Sequence, residues 1–274
     1  MKSKYSSLFS LPYLIWSLIF IIVPMGLVVV FAFTTEGGQF TLDYVSQVGE
    51  YTNVLVRSVW LAAIATVICL LIGYPLAYIM SRMPGFQQRT MLMLIMLPMW
   101  MNFLLRTYAW MTILEKIGLL NKLFGLFGLG PFDMINTQGA VVLGMVYNYL
   151  PFMILPLYSI MTKIDNRTIE AAQDLGANTK NVFTRIVIPM SMPGISTGIT
   201  MVFVPSVSTF IISRMLGGGG NLLIGDLIDL QFLGNAYNPH LGSAISLVLM
   251  VLILLCMSIL NQFNGDEDRE GMLL

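Results

Sequence analysis

Charge is scarce in this chain of 274 residues: Asp, Glu, Lys and Arg make up 10% of it, against about 25% in ordinary soluble domains. The acids and bases balance at 14 each, so no bulk charge points to nucleic acid or to an acidic partner. There is a single histidine, His240, and no His-Glu-x-x-His pattern, which leaves metal-assisted hydrolysis without ligands. His240 is read as a solvated loop residue, and no catalytic residue, metal or other cofactor is expected. The two cysteines, Cys69 and Cys256, each sit inside an apolar run and read as small buried hydrophobes, not as a disulfide or a metal pair. The glycine run Gly217 to Gly220 lacks the Lys-Ser/Thr pair that a phosphate loop requires. No internal repeat and no low-complexity tract is present. No small-residue cleavage site follows the first apolar run, so that run is read as a retained span and not as a signal peptide.

Apolar sequence is what the chain has in abundance. Hydrophobic residues make up 57% of it, and the mean hydropathy is +0.80. A membrane span needs about 20 mostly apolar residues. Six stretches qualify, at roughly 12–33, 57–80, 90–112, 138–161, 194–215 and 242–263. With the N-terminus inside, the inner side collects Lys2, Lys4, Arg82, Arg89, Lys163, Arg167, Lys180, Arg185 and Arg269. The outer side and outer span ends hold Arg57, Arg106, Lys116, Lys122 and Arg214. The bias places both termini in the cytosol, with a solvated tail from Gly265 to Glu270. The expectation is an all-α polytopic membrane protein, one transmembrane domain over residues 1–274.

Two segments do not fit simple hairpins. Residues 113–136 read as a short interfacial helix with a turn at Gly128-Leu129-Gly130-Pro131. Residues 216–240 read as an outer loop with a short amphipathic helix, or as a re-entrant segment. Pro24, Pro75, Pro98, Pro151, Pro156 and Pro205 lie inside spans, and each invites a kink or break. Their clustering favours a transporter over a simple anchor. Arg106 lies within the third span, where charge is costly. It reads either as snorkelling outward or as part of an ion pair or a contact with a partner subunit.

The most informative segment is polar and lies between spans, at residues 162–195. Asp165 or Asn166 can cap a helix on which Ile169, Ala172 and Leu175 recur at helical spacing. Gly176 then stands where a left-handed terminating residue belongs. Asn178 or Thr179 can cap a second helix, with Val182, Phe183 and Ile186 on its apolar side, until Pro189 and Pro193 lead into the next span. Neither piece can cross a bilayer, and each has an apolar face small enough for a groove on a soluble partner. Glu170 and Asp174, four residues apart, put acidic groups on one side, while Ala171 and Ala172 allow close approach.

The spacing Glu170-Ala171-Ala172, three residues, Gly176, nine residues, Ile186, one residue, then Ile188-Pro189 resembles the "EAA" loop of binding-protein-dependent ABC importer permeases. Ile188 replaces the usual leucine before the proline. The resemblance implies the type I ABC importer permease fold and a pore-forming subunit with no ATPase of its own. In that family the loop inserts into a cleft of the ATPase, so the coupling residues implied here are Glu170, Ala171, Ala172, Asp174, Gly176 and Pro189. Pro98 to Trp110, Gly218 to Gly225 and Asn53 to Tyr78 further resemble spermidine/putrescine permeases, and the likeness runs from about residue 40 to 250. It implies two ATPase copies, a second related permease, an extracytosolic polyamine-binding protein and a lipid environment in the cell membrane. Related permeases for iron, thiamine or organophosphonates share much of the architecture. An ion-coupled secondary transporter would explain the spans but not the loop.

A polyamine path needs acceptors for ammonium groups and aromatic faces for cation–π contact. Asp226 and Asp229, at three-residue spacing, and Trp100, Tyr108, Trp110, Tyr147 and Tyr149 are the candidates. The aspartates read equally as residues of a solvated outer loop or as contacts for the binding protein, and the aromatics as interfacial anchors.

Overall fold

The computed structural model describes residues 4–234 and 236–262, so Lys2, Arg269 and the tail from Gly265 to Glu270 lie outside the described residues. Inside a bilayer every backbone group must find its partner within the segment, which leaves the helix as the form for these apolar runs. In chain order the helices are α1 (Lys4–Ser17), α2 (Val23–Ala32), α3 (Asp43–Gln47), α4 (Thr52–Ser81), α5 (Gly85–Met96), α6 (Phe103–Leu114) and α7 (Leu119–Leu126). They continue with α8 (Gln138–Met161), α9 (Asn166–Asp174), α10 (Thr179–Val182), α11 (Ile188–Ser208), α12 (Ile211–Leu216), α13 (Ile224–Leu233) and α14 (Pro239–Gln262). The extended pairing found among the described residues is one isolated bridge, Thr34 with Phe40.

Among the described residues, five helical stretches are long and apolar enough to cross a membrane: Leu11–Ala32, Asp43–Ser81, Gln138–Met161, Thr179–Ser208 and Pro239–Ile259. Four of the expected spans fall on them. The third, at 90–112, does not survive as one rod. Gly85–Trp100 and Phe103–Leu126 meet at 88°. Pro98 sits in a 3-10 turn (Leu97–Trp100), Met101 is extended, and Asn102 starts afresh by accepting from Leu104 N at 2.8 Å. A side-chain oxygen on the first free amides is what an N-cap supplies. The fifth span is shifted as well. Its helix starts before residue 194, ends at Ser208 and gives way to extended backbone at Thr209 before α12 begins.

Pro98 lies at the break between α5 and α6, whereas the other span prolines stay within helix. Helix runs on through Pro75, Pro151, Pro156, Pro193 and Pro205. Two π turns, Leu18–Ile22 and Phe183–Val187, precede Pro24 and Pro189. A proline ring crowds the carbonyl four residues back, here that of Phe20 or Arg185, and the wider turn makes room for it. The second helix of the polar segment therefore joins the fifth span with no break.

The chain divides into two compact units, Met1–Leu55 with Leu227–Leu254, and Val56–Asp226 with Leu255–Leu274. In the first, Asn238 and Pro239 open α14 as N-cap and first helical residue, with Asn238 Oδ1 accepting from Leu241 N at 3.1 Å. That start corrects the reading of His240 as a solvated loop residue. It lies in the helix, 9% exposed. Its Nδ1 is 3.0 Å from Phe31 O, and its ring is stacked on Tyr44 and tilted against Phe31.

In the second unit α8 and α11 pack along each other around Met153, Ile154, Leu157, Met161 and Val202, with Cys69, Ala77 and Met80 of α4 in the same core. Gly198 permits the approach, since a Cβ there would stand 2.7 Å from Met153 Sδ. Small residues at the contact are how membrane helices come close. Cys69 is fully buried and Cys256 partly so, as read from sequence. The short helix expected in 113–136 is α7, followed by a turn with Gly128 and Gly130 at positive φ.

Candidate functional site

The polar segment is built on local signals. Asp165, and not Asn166, caps α9, its Oδ1 accepting from Arg167 N at 3.0 Å. Ile169 and Ala172 turn inward against Ile164, Val182 and Val187, together with Ala177 and Phe183. Glu170, Ala171 and Asp174 face out, and so does Leu175, 90% exposed, which corrects its reading as part of the stripe with Ile169 and Ala172: it lies past the last helical residue, Asp174. Gly176 ends the helix at φ +86. Gly176 N donates to Gln173 O at 2.8 Å and Ala177 N to Ala172 O at 3.0 Å, the paired bonds of a Schellman motif. Asn178, and not Thr179, caps α10 by accepting from Asn181 N at 2.8 Å. The result is an elbow closed by its own caps, with a small apolar and acidic outer face.

What ties this elbow to the long helices was missed by sequence reasoning. The Phe183 ring stands edge-on to Tyr74 and Tyr78 of α4, with centroids at 5.6 and 5.3 Å. One turn further on, the Arg82 guanidinium covers the Tyr78 ring at 5.4 Å. Its Nη1 donates to Ile164 O at 3.1 Å and to Asn166 Oδ1. Tyr74 Oη and Ser191 Oγ are 2.8 Å apart. The signal available was the i, i+4 spacing of Tyr74 and Tyr78 with Arg82 four residues later, which puts all three on one helical face.

The candidate path residues separate. Trp100 and Tyr108 are 77% and 53% exposed. Trp110 packs edge-on against Tyr147 at 5.3 Å. Tyr149 lines a cavity of about 230 Å³ with Phe103, Ser208, Thr209 and Phe210, at the point where α11 breaks. Its hydroxyl donates to Pro205 O at 3.4 Å.

Asp226 and Asp229 both lie on α13, but Asp226 is not solvated: it is 0% exposed. Asp226 Oδ2 accepts from Leu223 N at 2.9 Å, Oδ1 lies 3.7 Å from Arg214 Nε, and Ser58 Oγ accepts from Ile224 N at 2.8 Å. A third-position acid reaching back to the capping residue's amide is half of a capping box. Asp226 thus holds the start of α13, whereas Asp229 is half-buried. Asp226→Ala, which strands a buried amide, is expected to cost about 1–3 kcal/mol, read as earlier thermal unfolding. Asp226→Asn keeps an acceptor for Leu223 N and is expected to retain most of that stability. Equal stability of the two variants would exclude the capping role.

Arg106 is 8% exposed, so it does not snorkel outward. Its guanidinium lies 5.9 Å from the Phe103 ring, and Nε and Nη1 are buried without a hydrogen-bond partner.

Residues 70–264 match the family described as binding-protein-dependent transport system inner membrane component. The spermidine/putrescine transport system permease protein PotB of Haemophilus influenzae is 39% identical over 265 residues, 93% of this chain and 92% of that protein. The protein of the same name from Escherichia coli K12 is 37% identical over 248 residues, 87% and 90% of the two chains. In fold, the chain is similar to a bacterial alginate ABC transporter solved with an alginate pentasaccharide-bound periplasmic protein. That match has a TM-score of 0.78 at 18% identity and covers 94% of this chain and 92% of the other. The chain therefore belongs to the binding-protein-dependent inner membrane components, and among them to the family of the PotB permeases.

Proposed function

We infer that this chain is the pore-forming permease subunit of an ATP-driven importer of spermidine and putrescine. The observation that carries the reading is the likeness to PotB proteins over nearly the whole chain. ATP hydrolysis resides on a separate subunit, present in two copies. A second, related permease completes the pore, and an extracytosolic binding protein delivers the polyamine. The whole chain acts as one permease domain with both termini in the cytosol, where the lysine and arginine bias puts the α9 elbow on the ATPase side. Glu170, Ala171, Asp174 and Leu175 form the docking face, Ala172 and Gly176 shape it, and Pro189 stands in the first turn of α11 just after the π turn.

Two supports come from the geometry. The elbow is held by its own caps, so it keeps its shape as it is pushed. The Phe183 contacts and the Arg82 bonds then pass displacement of the elbow into α4. The experiment is reconstitution of the four components in vesicles with radiolabelled spermidine. Uptake is expected to require ATP and the loaded binding protein, and to be competed by putrescine. Uptake without ATP would favour an ion-coupled carrier, and preferential uptake of thiamine, iron or an organophosphonate would replace the substrate assignment.

A further inference from the structure

We propose that Arg82 is the positioning residue that carries movement of the elbow into α5, the first half of the broken span. The proposal rests on the coupling reading above and extends it past α4. The elbow runs straight into α11, so that helix follows it along the chain. α5 is distant from the elbow in sequence and follows it through side chains. Two sets of bonds meet at the turn of residues 82–84, between α4 and α5. On one side Gln88 of α5 reaches back over the turn. Its Nε2 donates to Ser81 O at 3.2 Å and to Met83 O at 2.8 Å. Ser81 is the last residue of α4, and a terminal carbonyl has no partner within its own helix. Gln88 Oε1 accepts from Tyr158 Oη of α8 at 2.8 Å. Three of the four hydrogen-bonding positions of that amide are therefore spent on holding the turn. On the other side Arg82 Nη1 donates to Ile164 O at 3.1 Å and to Asn166 Oδ1, on the first residue of α9. Its guanidinium covers the Tyr78 ring, which Phe183 meets edge-on.

The grip on the elbow is narrow. Nε and Nη2 of Arg82 are buried without a hydrogen-bond partner, so the bonds to Ile164 and Asn166 come from Nη1 alone. Displacement of α9 thus reaches the turn through one nitrogen, and the Gln88 amide hands it to α5. A lysine ammonium has three donors and no fork. It can serve both acceptors, which the two-pronged bonding of a carboxylate or phosphate would not allow. A chain of contacts becomes a route only when its members share an energy, and that energy is what a double variant measures.

The test uses the assembled importer in vesicles with saturating loaded binding protein, and reads spermidine carried per ATP hydrolysed. Arg82→Gln is expected to lower the ratio about fivefold, the low end of the range for coupling between two sites. Pull-down of the ATPase, and hydrolysis without binding protein, are expected to stay at wild-type values. Arg82→Lys is expected to hold the ratio near wild type. Gln88→Leu breaks the next link and is expected to give the same loss as R82Q. The double variant should lose no more than either alone, since both act on one route. A wild-type ratio in R82Q overturns the relay, and so do losses that multiply in the double variant. Loss of ATPase pull-down, or of hydrolysis in proportion to transport, marks a folding role and overturns it as well. Gly176→Val in the same vesicles separates this proposal from the reading beneath it. Wild-type uptake there fails the docking elbow and the relay with it, whereas failed uptake there beside a normal R82Q fails the relay alone.

Discussion

Gly176→Val is expected to leave the protein in the membrane and to stop transport. A Cβ at Gly176 would meet nothing within 4 Å, so the substitution creates no clash and the core beneath the elbow stays packed. The obstacle is the backbone at φ +86. That region costs an ordinary residue about 1–2 kcal/mol, and more when the side chain is β-branched. The two bonds that close α9, to Gln173 O and Ala172 O, form only in that conformation. Valine therefore shifts the elbow toward open forms in which Leu175 and Asp174 no longer share a face. Uptake is expected to fall about tenfold or more, the factor that 1–2 kcal/mol of strain represents. Asparagine tolerates left-handed backbone best of the other residues. The expected order of uptake is thus Gly, then Asn, then Ala, with Val last. Pull-down of the ATPase should follow the same order while membrane yield stays constant. Wild-type uptake in G176V would remove the coupling assignment, and loss of membrane yield would make the glycine a folding residue.

The elbow could be read from sequence because its determinants are local. A cap, an inward stripe and a terminating glycine lie within a dozen residues, and each acts on its immediate neighbours. The resemblance to the importer permeases then gave that shape a use. The break at Trp100–Phe103 was hidden for the opposite reason. Residues 90–112 are mostly apolar, and hydropathy reports composition without reporting direction. Pro98 followed four residues later by Asn102 was the trace of it: a donor lost, then a cap regained. Asp226 looked like a loop acid because short-range signals do not say what the third position of α13 touches. Its partners are the Leu223 amide and Arg214 of α12, and the neighbouring Ile224 amide meets Ser58, more than 160 residues earlier. Arg82 and Phe183 were missed likewise, since their contacts join segments that are distant in sequence.

The glycine run and the glycine five residues beyond it separate into intolerant and tolerant positions, and Gly225→Ala is expected to be the most damaging of the set. A Cβ on Gly225 would stand 2.4 Å from Ser208 O and 2.6 Å from Thr209 O. Those are backbone atoms, and no side chain can swing aside to admit the methyl group. Nor can either segment retreat easily. Ser58 and Asp226 pin the amides of Ile224 and Leu223, and α11 is held along α8 where Gly198 meets Met153. Overpacking of this kind costs about 1–3 kcal/mol and sometimes more. Immovable backbone on both sides puts Gly225 at the upper end. Gly218 is constrained too, by φ +63 and by Asn136 Oδ1 at 2.7 Å from its Cβ position, and Gly217 by Ser213 O at 2.7 Å. Gly219 and Gly220 have open space and no left-handed φ. Alanine there is expected to change stability by under about 0.5 kcal/mol. Thermal unfolding of the purified complex should therefore drop sharply for G225A, fall for G217A and G218A, and hold for G219A and G220A. If G225A melts with wild type, Ser208 and Thr209 have room to move, and the α11 break is a soft joint instead of a fixed one.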